Sequence, residues 1–176
     1  MSRLAGKVVV VTGTSPNIGG GIAEGLADEG ARVVCVDIDA DDAGQCAESI
    51  KRRGGEALGI VCDVTDEAQV EAMVARAREA YGGVDVLVNN AGILGGLSVL
   101  EMPLERWNRQ IGVNLTGTFL CTKHVARLMV EQGRRETDRI SNTPSVASSR
   151  MSLAATEMTS SRYCAWATMP SGGPDE

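Results

Sequence analysis

Hydrophobic and polar positions alternate along this chain in blocks rather than residue by residue. Residues 8 to 11 are four valines in a row, which suits a strand buried on both faces, because a half-buried strand would show apolar and polar positions in turn. Similar runs recur in ARVVCVDID, ALGIVC and VDVLV. Between them lie segments with apolar residues at helical spacing. The pattern predicts strands at 7–12, 32–37, 57–61 and 84–88, and helices at 19–29, 40–53 and 66–80, with a further helix around 103–110 and a long one over about 113–132. Gly30, Gly54 and Gly82 stand where helices should end, while Thr65, Asp66 and Glu67 suit a helix N-terminus. Strands alternating with helices imply an α/β fold, a doubly wound parallel sheet with helices on both faces.

The first strand breaks off in a Gly-containing turn and a helix opens after it. Backbone N–H groups at a helix N-terminus attract a pyrophosphate, and close approach of the phosphate gives Gly13, Gly19, Gly20 and Gly21 a reason to lack side chains. This makes the expected fold Rossmann-like. About 20 residues further on, Asp37 ends the second apolar run, where a carboxylate accepts hydrogen bonds from an adenosine ribose and repels a 2′-phosphate. No Lys or Arg lies between Thr12 and Gly21. NAD is therefore expected, with NADP disfavoured. The competing reading makes Asp37 the start of a solvated loop, like Asp39, Asp41 and Asp42.

Composition narrows the partners. The chain has 176 residues, 43% of them hydrophobic, which is enough for one domain with a core, and its net charge of −6 argues against nucleic acid or an anionic membrane. The apolar runs are too short for a membrane span or a signal peptide, so the expectation is a cytoplasmic protein. Cys35, Cys46, Cys62, Cys121 and Cys164 form no CxxC pair, and Cys35 and Cys62 fall in expected strands as small apolar residues. Neither a disulfide nor a metal site is expected.

Taken together these segments resemble the short-chain dehydrogenase/reductase family over about residues 4 to 145. The family's TGxxxGxG turn is similar to Thr12-Gly13-Thr14-Ser15-Pro16-Asn17-Ile18-Gly19, with Asn17 in the place of the second glycine, a substitution that a positive φ would tolerate. Its adenine-contacting acid resembles Asp63, followed by Val64, in CDVTD. Its NNAG motif is present as Asn89-Asn90-Ala91-Gly92, and its helix-borne asparagine matches Asn114, where the family uses a backbone irregularity to hold a water of the proton relay. The resemblance implies a cofactor site of Gly13, Asn17, Ile18, Gly19, Asp37, Asp63, Val64, Asn90, Ala91 and Gly92. It also implies hydride transfer between nicotinamide and a small secondary alcohol or ketone.

After Glu136 the chain turns rich in Ser, Thr and Met and its periodicities fade. The expected division is a nucleotide-binding domain over 1–145 and an altered tail over 146–176, with the sheet incomplete after a fifth strand around Arg139–Ser145. By the resemblance, Ser145 matches the serine that orients the substrate oxygen, although counting back from the tyrosine favours Ser148 or Ser149. Tyr163 matches the general acid/base. The position of the lysine that lowers the tyrosine pKa holds Ala167, and Arg150 or Arg162 are the nearest sources of charge. His124, Trp107 and Trp166 read as packing residues. The family is usually homo-oligomeric through its long helix, and that assembly is expected to be impaired here. Two functions therefore stand side by side: an NAD-dependent dehydrogenase, or a catalytically silent nucleotide-binding or interaction protein from a truncated or frame-shifted gene.

Overall fold

The computed structural model describes residues 2–94, 96–133 and, as backbone, 140–142. Five strands, β1 (Val8–Thr12), β2 (Arg32–Asp37), β3 (Glu56–Val61), β4 (Val86–Asn89) and β5 (Ile140–Asn142), form one parallel sheet in the order β3-β2-β1-β4-β5. The chain runs outward from β1 to β3, then crosses to the other side of β1 for β4. The topological switch point therefore lies between β1 and β4, where the carboxyl ends of the strands open a crevice.

Why the strands are so apolar is visible in their register. Val8, Val10, Val34, Val36 and Leu87 face helices α3 (Glu67–Tyr81) and α5 (Thr118–Glu131), together with Val70, Met73, Val125 and Met129. Val9, Val11, Val33, Cys35 and Val88 face the opposite way, toward α1 (Ile18–Asp28) and α2 (Ala40–Arg52), with Ala23, Cys46, Ala47 and Ile50. Successive side chains on a strand point to opposite faces, so covering both faces demands an unbroken apolar run. The four described cysteines are all buried and free. Burial, reinforced by nearby acidic charge, pushes the Cys62 thiol up to about 11, and burial pushes Cys121 to about 12, which keeps both neutral as packing groups.

Helix ends follow local chemistry. Asp39 caps α2 by accepting from the N–H groups of Asp41 and Asp42, Asp66 caps α3 by accepting from Ala68 and Gln69, and Gly82 closes α3 in the left-handed region at φ 79°. One expectation changes at the fourth and fifth helices. No break separates them: α4 (Leu104–Ile111) passes into a π-helical turn (Gly112–Gly117) and then into α5. Gly112, between the two expected helices, has φ −54° and simply continues the helix.

The α3 N-terminus also carries a pH dependence. The Gln69 side chain and the N–H groups of Gln69 and Ala68 hold the Asp66 carboxyl below its ordinary value, and hydrogen bonds from Lys123 and His124 do the same for Glu67. A depressed carboxylate stabilises the fold above its unfolded pKa of about 4, and that stabilisation is lost as pH falls through the folded value. The urea midpoint should accordingly fall as pH drops from about 5 toward about 3, and Asp66→Asn, which keeps a capping side chain but cannot titrate, should flatten part of that slope. An Asp66→Asn midpoint that tracks the parent chain throughout would exclude Asp66 as a contributor.

Candidate functional site

Three loops meet at the carboxyl ends of β1, β2 and β4. Gly13 leaves β1 at φ +71° and donates its N–H to Val36 O at 2.7 Å, and a Cβ placed on it would lie 2.7 Å from Ala91 Cα. Only glycine combines that backbone conformation with that proximity. Gly19 is tighter still, since its Cβ would lie 1.8 Å from Gly13 O. At Gly21 a Cβ meets nothing within 4 Å, so no close approach within the chain demands glycine there. Asn17 is a correction. Its φ is −110°, so the turn makes no use of asparagine's tolerance for positive φ.

The start of α1 contrasts with the other two helices of the unit. Asn17 makes no side-chain cap and the first turn carries no acid, whereas α2 and α3 have Asp caps and acidic first turns. The N–H groups of Ile18 and Gly19 thus open a helix end whose charge no side chain offsets. Beside it, Asp37 is only 9% exposed, and its Oδ1 accepts from Asp39 N at 3.1 Å. It is a fixed group at the end of β2, not the start of a solvated loop. Loss of water and repulsion from Asp37, Asp39 and Asp41 raise the Asp42 carboxyl, an indication of how acidic this corner is.

Across the crevice, Asn90 is buried and its Nδ2 donates to Thr12 O at 3.1 Å and Gly13 O at 2.8 Å. Its Oδ1 has no partner, a buried acceptor left over in the crevice. The Thr12 hydroxyl accepts from the N–H groups of Asn90 and Ala91, each at 3.1 Å, and donates to Val88 O at 3.4 Å. Thr12 thereby fastens the β1 turn to the β4 exit. The sequence reading quoted it only as a motif letter; the signal available was a hydroxyl ending a run of buried valines. Asp63 is held through Oδ1, which accepts from Thr65 N at 2.9 Å and Thr65 Oγ1 at 2.7 Å, while Oδ2 is outside those bonds. Val64 is buried beside it.

Asn114 sits inside the π turn, so the expected backbone irregularity is there. Its side chain pairs with both polar groups of Ile93, accepting from N at 2.9 Å and donating to O at 3.0 Å. The Asn114 carbonyl accepts from Thr118 Oγ1 at 3.0 Å. This brace ties the segment after Gly92 to the long helix, and sequence alone did not disclose it. Ser145, Tyr163 and Ala167 lie outside the described residues, as do Ser148, Ser149, Arg150, Arg162, Cys164 and Trp166. His124 packs between helices, as expected, whereas Trp107 is 50% exposed and does not join the core.

A glycine turn, an uncapped helix end, a fixed strand-end acid and the Asn90 clamp converge on one crevice, and residues 7–165 match the family model described as short chain dehydrogenase. The chain belongs to the short-chain dehydrogenase family. An uncharacterized oxidoreductase of Thermotoga maritima is 44% identical over 130 residues, 74% of this chain and 51% of that protein. A 2,5-dichloro-2,5-cyclohexadiene-1,4-diol dehydrogenase of Sphingobium indicum is 41% identical over 148 residues, 84% of this chain and 57% of that one. Among solved structures, an NAD+-bound xylitol dehydrogenase superposes with a TM-score of 0.75 at 35% identity, covering 80% of this chain and 53% of that one. The chain spans about half the length of the curated relatives it matches. No helix among the described residues is long and apolar enough to cross a membrane.

Proposed function

We propose that the chain binds NAD(H) in the β1–β4 crevice and carries the cofactor half of an oxidoreductase that interconverts a secondary alcohol and a ketone. The observation that carries the cofactor choice is Asp37, a nearly buried carboxylate at the end of β2 beside the glycine turn. In this reading the α1 N-terminus takes the pyrophosphate, Asp37 the adenosine ribose and Asp63 with Val64 the adenine, while Gly13, Asn17, Ile18, Gly19, Asn90, Ala91 and Gly92 line the path between. The leftover Asn90 acceptor and the uncapped helix end fit such a ligand. When bound, the nicotinamide supplies the hydride acceptor or donor.

The chain's own contribution to the chemistry is to place polar groups. Asn114 positions through its brace to Ile93, and its carbonyl, which already accepts from Thr118, has a second lone pair for a relay water. Ser145 is assigned to orient the substrate oxygen and Tyr163 to exchange its proton, both by resemblance to the family. A tyrosine near its ordinary pKa of about 10 is a weak base at neutral pH, and Ala167 offers no ammonium to lower it. Leu104, Trp107, Ile111, Leu115 and Phe119 form an exposed apolar row at helical spacing along the α4, π and α5 rod. That row supports pairing with a second copy through the long helix, as the family does.

Calorimetric titration with both cofactors tests the binding assignment. NAD(H) is expected to bind at least tenfold more tightly than NADP(H), a difference of about 1.4 kcal/mol, and Asp37→Ala should narrow the gap. Equal affinities in the parent chain would remove Asp37 from the ribose.

A further inference from the structure

The contact between α3 and α5 holds a cluster that cofactor binding leaves unused. Glu67 and Glu71 are one helical turn apart on α3, so their carboxylates leave the same face. His124 of α5 meets both: Nε2 is 2.9 Å from Glu67 Oε1 and Nδ1 is 3.6 Å from Glu71 Oε1. The imidazole is 7% exposed, whereas the glutamate side chains are 48% and 60% exposed. A buried imidazole therefore presents Nε2 to one carboxylate and Nδ1 to the other, and solvent reaches both carboxylates. One ligand atom from each residue lies within 4.8 Å of the other two.

We propose that Glu67, Glu71 and His124 form a site for a divalent first-row metal ion of the zinc class, bridging α3 to α5. Neutral imidazole and carboxylates are ligands such ions take, at about 2.0–2.2 Å. Two ligand atoms at those lengths and about 90° or more apart at the metal are themselves separated by about 2.9 Å or more, which the Glu67–His124 pair already matches. Glu71 is the exposed arm that closes on the ion, and water completes the shell. Two carboxylates offset the charge of a dication, so binding leaves no buried net charge.

A competitor is built into the same site. The Lys123 ammonium is bonded to Glu67 Oε1, the oxygen that His124 also contacts. That ammonium neutralises Glu67 without metal and must leave Glu67 for a metal to enter, which weakens the site in the parent chain. An ion-pair network that merely fastens two helices would give no saturable metal uptake, and the two readings part on Lys123. Removing the lysine weakens a fastening but frees a metal site.

Titration of the full chain with Co2+, followed by its visible absorption and by displacement with Zn2+, tests the site. One saturable equivalent is expected. Glu71→Gln should weaken it more than tenfold, as should His124→Gln, and Lys123→Gln should tighten it about tenfold. Glu71 is exposed, so Glu71→Gln retains the fold, and far-ultraviolet circular dichroism of each variant checks that it does. Absence of saturable uptake at millimolar metal would overturn the site. So would uptake that Glu71→Gln leaves unchanged, because the ion would then be bound elsewhere, or a Lys123→Gln variant that binds no more tightly.

Discussion

Gly19→Ala is expected to abolish NAD(H) binding and to destabilise the fold by about 3 kcal/mol or more, whereas Gly21→Ala, two residues along the same helix, should raise stability by about 0.5–1 kcal/mol and leave binding intact. Both substitutions give α1 a better helix former, so intrinsic propensity favours both. Their surroundings decide the sign. At Gly19 the new methyl would sit 1.8 Å from Gly13 O and 2.5 Å from Asn90 Nδ2, so either α1 moves away from β1 or the turn opens. The first of these neighbours is backbone, which cannot rotate aside as a side-chain end would. Either movement also shifts the Asn90 clamp on Thr12 O and Gly13 O. At Gly21 the methyl meets open space. Urea denaturation together with calorimetric NAD(H) titration of the pair is the check. Equal behaviour of the two variants would mean that the α1–β1 approach does not govern this turn.

Turnover should be separable from cofactor binding. If Ala167 stands in the lysine position, as the resemblance implies, the chain is expected to bind NAD+ yet reduce it on a panel of secondary alcohols at a rate at least about 10²–10⁴-fold below that of a family member with an intact acid/base group. In the proposed assignment, binding draws on the crevice at β1, β2 and β4, supplied by residues 12–92, whereas proton transfer falls to Tyr163, for which an alanine at 167 offers no ammonium. Ala167→Lys alone should not restore full activity, because a lowered pKa accelerates reaction only for a substrate already held in position. NADH formation by the parent chain and by the variant, followed by absorbance, decides. Brisk turnover by the parent chain would show that Arg162, Arg150 or another group replaces the lysine. Recovery in Ala167→Lys would show that the absent ammonium alone had limited the rate.

Wherever a residue's role depends on its immediate neighbours in the chain, the sequence was a sufficient guide. The valines of β1 read as a strand buried twice over because no polar residue interrupts them, and Asp39, Asp66 and Gly82 marked helix ends because capping is a matter of three or four consecutive residues. The placement of the glycine turn, Asp37 and the NNAG segment at strand ends was legible for the same reason: each is a short motif in or just after a strand. What failed was inference drawn from residue type or spacing alone. Asn17 has a negative φ, and the two helices expected around 103–110 and 113–132 run on through a π turn. Trp107 was taken for a packing residue because large aromatic side chains gain from burial, but its position on the rod turns it outward into an apolar row.

The sequence by itself determined the order and type of the elements, the apolar layers, and which short motifs stand at strand ends. These follow from periodicity and from contacts within a few residues. Only the tertiary structure decided how Thr12 joins the β1 turn to Asn90 and Ala91, how Asn114 braces Ile93, and that His124 meets Glu67 and Glu71. Those partners are 21 to 79 positions apart in the chain. The physical reason is that polar side chains at such separations are paired by strand order and helix packing, which local propensity does not encode.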